Sequence, residues 1–245
     1  MSWFTAFAAS PSGAWLAAGG GDGELQMWRR DGGLHVACAG GAPGKKVRCL
    51  AWDATGKYIA MASGLSVVVW DALASQRSGS AGSTGYQLVT RSPTRLSHGR
   101  AQLPIALAWR SMSSAEWKDF KAQLDGVEDA SSATIQSPAT ILAVAFSDGI
   151  IKLFDISVYR QGDAVREMAH KVPSAVVVSD IAEMLLRSAA PSNERFASPK
   201  PPALASAHLM WTGDGGETPS LSVIFTDPNT GDAHAVVLSH TTRAL

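Results

Sequence analysis

The chain has 245 residues, 46% hydrophobic and 17% charged, and its 21 basic and 21 acidic side chains leave it formally neutral. That is apolar material enough for a sizeable core, and with no run of like charges it lacks the electrostatic footprint that nucleic acid or an anionic membrane surface demands. No apolar run approaches the roughly 20 residues of a membrane helix, and the stretch from Met1 to Ala9 is too short and too poor in basic residues for a secretory signal, so the cytoplasm or nucleus is expected.

Residues 4–13, ending Ser10-Pro-Ser-Gly13, read as a strand and a turn, with Pro and Gly where turn geometry wants them. Strands follow at Trp15 to Ala18, Glu24 to Trp28 and Leu34 to Cys38, the first two separated by the turn Gly19-Gly-Gly-Asp22-Gly23. A second set opens with Val47-Arg-Cys-Leu-Ala-Trp52. It continues through a hairpin, Tyr58 to Ala62 and Val67 to Trp70, pinched at Ser63-Gly64 and closed by Trp70-Asp71. Its β-branched and aromatic residues suit a pleated, half-buried surface. Trp52-Asp53 is also a Trp-Asp pair, but it stands in the first strand of its set and is discounted. Residues 74–97, rich in Ser, Gly, Ala and Thr, read as a long connection holding one outer strand near Tyr86.

The third set opens with Ile105-Ala-Leu-Ala-Trp109 and is interrupted before its hairpin, Ile141 to Asp155. Inside the interruption Ser113-Ser-Ala-Glu116 has the form of a capping box, in which hydroxyl and carboxylate satisfy the free amides of a first helical turn. Trp117, Phe120 and Leu124 follow at helical spacing, and Gly126 can end the helix. Beyond Asp155, residues 170–180 read as a strand entry and 180–190 as a second short helix, stopped by Pro191. The stretch 191–203 carries four prolines and cannot join a central sheet. Ala207 to Gly215 mirrors Leu50 to Gly56, and strands follow at Leu221 to Phe225 and Ala235 to Leu238. The first strand of this last set falls at either 175 or 207.

Gly13 and Gly56 lie 43 residues apart and Trp28 and Trp70 lie 42 apart, a period of four strands that is the signature of a propeller. The chain resembles the WD-repeat family. Trp70-Asp71 and Phe154-Asp155 carry the likeness, with Trp28-Arg29 as a variant, Asp22 and Asp148 in the turn before the third strand, and His98 and His170 ahead of two repeats. The resemblance implies an all-β propeller with irregular or missing blades and one or two short helices in its insertions. It also implies structural roles for Asp22, Trp28, Trp70, Asp71, His98, Asp148, Phe154 and Asp155, within a hydrogen-bonded His, Ser/Thr, Asp and Trp set per blade. No blade shows that set whole: Phe154 has no indole donor, and Leu65 stands where an Asp is expected. The whole chain, 1–245, is expected as one such region, with repeats near 4–40, 47–97, 98–170 and 171–245 and insertions near 74–97, 111–138 and 181–203.

Four repeats are few where propellers have four to eight blades. An open arc leaves two faces bare, and at ~25 cal/mol per Å² that cost rivals a domain's net stability. The chain is therefore a fragment of a longer propeller, or its insertions hold cryptic blades, or a partner chain completes the ring.

No convergent chemistry appears. Gly19 to Gly23 lacks the Lys-Ser/Thr and helix of a phosphate loop. Asp22, Asp148 and Asp214 sit in separate turns, and the six histidines show no metal-ligand spacing. Cys38 and Cys49 have no zinc or redox partner and are expected in strands. No Gly-x-Ser-x-Gly elbow exists. No cofactor, no metal and no enzyme activity are expected. The reading is a non-catalytic scaffold binding other proteins within a multiprotein complex, with Trp117, Phe120 and Leu124 as its candidate contact stripe. A propeller enzyme or metabolite binder using the central channel is the rival, since fold alone does not decide function.

Overall fold

The computed structural model describes residues 3–32, 35–39, 44–71, 86–87, 94–97, 102–112, 114–125, 141–155, 176–180, 206–212, 220–226 and 231–239. They form four sheets. The first pairs β1 (Phe4–Ala9), β2 (Trp15–Gly20), β3 (Glu24–Arg29) and β4 (His35–Ala39) in sequence order, with β8 (Tyr86–Gln87) added parallel to β4. The second is β5 (Val47–Trp52), β6 (Tyr58–Ser63), β7 (Ser66–Asp71) and β9 (Thr94–Ser97). The third is β10 (Pro104–Trp109), β11 (Ile141–Phe146), β12 (Ile150–Asp155) and β13 (Val176–Asp180), and the fourth is β14 (Ala207–Thr212), β15 (Ser220–Thr226) and β16 (Ala233–Ser239).

The strand alternation assigns each sheet two faces. In the second sheet Ile59, Met61, Val68 and Trp70 point one way, into a core shared with Ala17, Leu25 and Met27 of the first sheet. Tyr58, Ala60, Ala62, Val67 and Val69 point the other way, into a core with Trp109, Leu142, Val144, Phe146 and Phe154 of the third. Ala143, Ala145, Ile151 and Leu153 then meet Leu221, Val223 and Phe225 of the fourth. This is why β6 and β7 are apolar without a break: both of their faces are covered, and alternation of polarity would leave polar groups in a core. Four sheets enclose three cores, so the blades form an arc. The first strands β1, β5, β10 and β14 pack beside one another along it.

The repeat holds at the level of register. Trp28 pairs with Leu16, Trp70 with Ile59 and Phe154 with Leu142, so the three aromatics occupy one position in three blades. Each of the first three inner strands also carries a bulge at the same place, between Phe4 and Ala6, Val47 and Cys49, and Pro104 and Ala106. An extra residue there bends and twists the strand.

Several expectations need correction. β13 is the outer strand of the third blade, pairing with β12 across the intervening insertion. The boundary expected at 171 is displaced accordingly, and the fourth blade opens at Ala207. β2 runs on to Gly20, which shortens the glycine turn to Gly21, Asp22 and Gly23. Gly19 is needed in the strand because a Cβ there would overlap the side chain of Val47 in the next blade. The expected second helix at 181–190 lies outside the described residues.

Candidate interaction surface

The blades are joined by a recurring hydrogen bond that the sequence reading passed over. Trp52, Trp109 and Trp211 occupy one position, near the end of each inner strand, pairing with Ile59, Leu142 and Leu221. Each indole Nε1–H donates across the junction to a carbonyl of the blade before it: Trp52 to Ala8 at 3.2 Å, Trp109 to Ala51 at 3.0 Å and Trp211 to Ala108 at 3.2 Å. All three acceptors are alanines directly before the equivalent position in their own strands, so a small side chain leaves room for the ring. Trp52, discounted because Trp-Asp stood in the wrong strand, is thus an inter-blade latch. Thr5 adds a second crossing bond, its hydroxyl 2.6 Å from the Val47 carbonyl.

Asp53 is fully buried at the turn after β5. Its carboxylate accepts the Tyr58 amide at 2.8 Å and the Thr55 hydroxyl. Burial pushes its pKa above the usual 3.8, against the pull of those hydrogen bonds. Ser10 does the same work in blade 1, accepting the Trp15 amide at 3.0 Å. Burial likewise pushes the Cys49 thiol up to about 12, with Arg48 opposing, which favours its protonated form.

The sequence-predicted positions are spread along the arc. Asp22 accepts the Glu24 amide at 3.1 Å in blade 1, and Asp148 the Ile150 amide at 3.3 Å in blade 3. Each carboxylate thus closes a turn within its own blade. Leu65, at the turn of blade 2, is exposed. Trp70 and Phe154 are buried, whereas Trp28 is only partly covered, with Phe4 edge-on at 5.5 Å. Asp71 and Asp155 end β7 and β12; their side chains, His98 and His170 lie outside the described residues. Among the described residues no group of three His, Cys, Asp or Glu side chains could hold a metal ion, and no helix is long and apolar enough to cross a membrane.

Helix α1 (Ser114–Asp125) fills the interruption between β10 and β11. Glu116 pairs with Arg110 at the end of the inner strand and ties the helix to blade 3. Ser113 lies outside the described residues, as do the side chains of Phe120 and Leu124. Trp117 is 45% exposed.

Among the described residues, most of the exposed large hydrophobic side chains lie at the two ends of the arc. On blade 1, Phe4, Phe7 and Leu16 lie on the face turned away from blade 2. On blade 4, strand alternation puts Met210, Ile224 and Val237 on the face turned away from blade 3. Phe7 is 62% and Val237 65% exposed. Scattered apolar side chains are ordinary on a surface, but contiguous ones on a sheet face mark a contact site.

The family model "WD domain, G-beta repeat" matches residues 2–29 and 37–71. Over those residues the chain is similar to WD repeats. The two matched segments are blade 1 up to β3 and the run from β4 through the central hairpin of blade 2. No curated protein sequence matches the chain. Among solved structures, those of U3-55K and of the RRP9 WD40 repeats are similar to it. Identity is 12% and 13%, with TM-scores of 0.48 and 0.46, over 96% and 95% of this chain and 52% and 50% of theirs. A structure of Kluyvelomyces marxianus Hsv2 is similar at 14% identity and a TM-score of 0.40, over 62% of this chain and 40% of that one. The chain spans about half the length of the first two.

Proposed function

We propose that this WD-repeat chain is a non-catalytic scaffold that presents apolar surfaces to other proteins within a multiprotein complex, in the cytoplasm or nucleus. The bare faces at the two ends of the arc are the observation that supports it. In the interior of the same molecule, faces of this composition are covered by a neighbouring blade, and a protein surface of matching size would cover these. Trp117 on α1 is a separate anchor on the flank, held by the Arg110–Glu116 pair, and large half-exposed aromatics carry interface energy. Asp22 and Asp148, each accepting an amide in its own turn, support structural roles for these carboxylates.

Affinity purification of the tagged chain from cells, compared with Trp117→Ala and Val237→Asp variants, tests the reading. Proteins that co-purify in fixed proportion and are lost from one variant are the expected result. A chain that brings down no protein in stable proportion while turning over a small molecule would overturn it.

A further inference from the structure

We propose that the entry of blade 2, where Lys45 and Lys46 lead into β5 and Arg48 stands near its start, binds an acidic, extended segment of a partner protein. The proposal deepens the scaffold reading, from which it takes only that the partner is a protein. The site lies at the junction of blades 1 and 2, inside the arc.

The register shows what these positions do in the other blades. Val47 pairs with Ser63 as Phe4 does with Gly20 and Pro104 with Phe146. Lys46 therefore matches Trp3 and Leu103, and Arg48 is the extra residue of the bulge, matching Thr5 and Ile105. In blade 1 that residue closes a junction, the Thr5 hydroxyl donating to the Val47 carbonyl at 2.6 Å. In blade 3 Ile105 packs on the core shared with blade 4. In blade 2 the same position carries an exposed guanidinium. Leu103 is half-buried, whereas Lys46, like Lys45 before it, is exposed. A position that joins blades on either side and here holds a charge instead breaks a local rule without a structural gain, and such departures gather at functional sites.

The three cations are unpaired and their backbone is held in place. Among the described residues no carboxylate pairs with any of them. The Ser63 hydroxyl donates to the Lys45 carbonyl at 2.8 Å, and the Gly44 amide donates to the Asp22 carbonyl at 3.0 Å. These bonds fasten the segment between the turn of blade 1 and the turn of blade 2. Leu65, two residues beyond Ser63 on that second turn, is 47% exposed and offers an apolar foothold beside the charges. Lys45, Lys46 and Arg48 fall within four consecutive residues of a formally neutral chain, so the local field has one sign, which draws an acidic segment and repels a basic one. Three cations are too few to track a nucleic-acid backbone, where about six to ten phosphate contacts are usual.

Fluorescence anisotropy of a fluorescein-labelled peptide of Glu-Glu-Leu repeats, titrated with the full chain to about 100 μM, tests the assignment. Saturable binding is expected, with a Gln-Gln-Leu counterpart roughly tenfold weaker. Each of Lys45→Ala, Lys46→Ala and Arg48→Ala weakens binding about two- to fivefold, the range of an exposed ion pair, and added salt weakens it further by screening. Lys118→Ala and Lys121→Ala, at exposed positions on α1, leave it unchanged. All five are surface positions, so circular dichroism should show every variant folded. No saturable binding, equal binding of the Gln-Gln-Leu peptide, or indifference to the first three alanines overturns the proposal, as does a single-stranded RNA oligonucleotide that binds more tightly through the same residues. If the peptide fails while a protein still co-purifies with the chain and is lost with Trp117→Ala, this proposal falls and the scaffold reading stands.

Discussion

Replacing Trp109 by phenylalanine tests whether the indole latch holds the blades together. Trp109 is 7% exposed, stacks on Tyr58 at 6.2 Å between ring centres, and donates to the Ala51 carbonyl at 3.0 Å. Phenylalanine keeps most of the packing and the stacking but has no N–H. The lost hydrogen bond costs about 1 kcal/mol net, with the Ala51 carbonyl left short of one partner. The smaller ring costs about 1 kcal/mol more in apolar area at ~25 cal/mol per Å². The sum is about 2 kcal/mol, against about 3–5 kcal/mol for Trp109→Ala, which empties the site altogether. Urea denaturation followed by circular dichroism measures it. With an m-value of about 3 kcal/mol/M the phenylalanine variant should lose roughly 0.6 M in midpoint. Trp52→Phe, whose ring is less deeply buried, should lose less. If Trp109→Phe and Trp211→Phe both stay within about 0.5 kcal/mol of the parent, the ordinary scatter of surface changes, the crossing bonds are incidental and the latch argument fails.

Gly19→Ala should destabilise the chain by about 1–3 kcal/mol, because the new methyl overlaps Val47 across the first junction. Val47→Ala should not rescue it in a thermal melt, since the Val47 Cβ itself is in the way, whereas Val47→Gly should. Burial raises the folded pKa of Asp53 above 3.8, so the native state holds the proton more tightly than the unfolded chain. Its contribution is therefore fully present below pH 3.8 and is lost as the pH climbs through the raised folded value. Asp53→Asn can accept the Tyr58 amide and donate to Thr55, and it should flatten this part of the stability–pH curve. Asp53→Ala, by orphaning the Tyr58 amide, should cost about 1–3 kcal/mol at any pH. Cys49, its thiol at about 12, should resist iodoacetamide at pH 8 in the native state and react on unfolding, as site-resolved mass spectrometry would show.

The hairpins were legible because two simple signals coincide in them. β6 and β7 are unbroken apolar runs of strand length, and their turn at Gly64 needs a positive φ, which it has at 58°. Trp28, Trp70 and Phe154 could be aligned from spacing alone because the local hairpin carries its own register. The latch was not legible. Its bonds join residues 44, 58 and 103 positions apart, and the insertions of unequal length erase the period at that distance. β13 was misplaced for a related reason. An apolar run of Val176 to Val178 fits a first strand or a last one equally well, and only pairing with Ile150 to Leu153 decides. The Arg110–Glu116 pair was not legible either, since it joins the helix to the end of a strand and spacing along the helix does not reveal it.

All three indole bonds point the same way along the chain, from a later blade to an earlier one. During synthesis, then, the acceptor always leaves the ribosome before its donor, and each blade is fastened by the one that follows it. Growth from the N-terminus never has to wait for a distant C-terminal segment. A nascent chain stalled after blade 2 already contains everything the first junction needs, and should resist protease there while the later blades are still unmade.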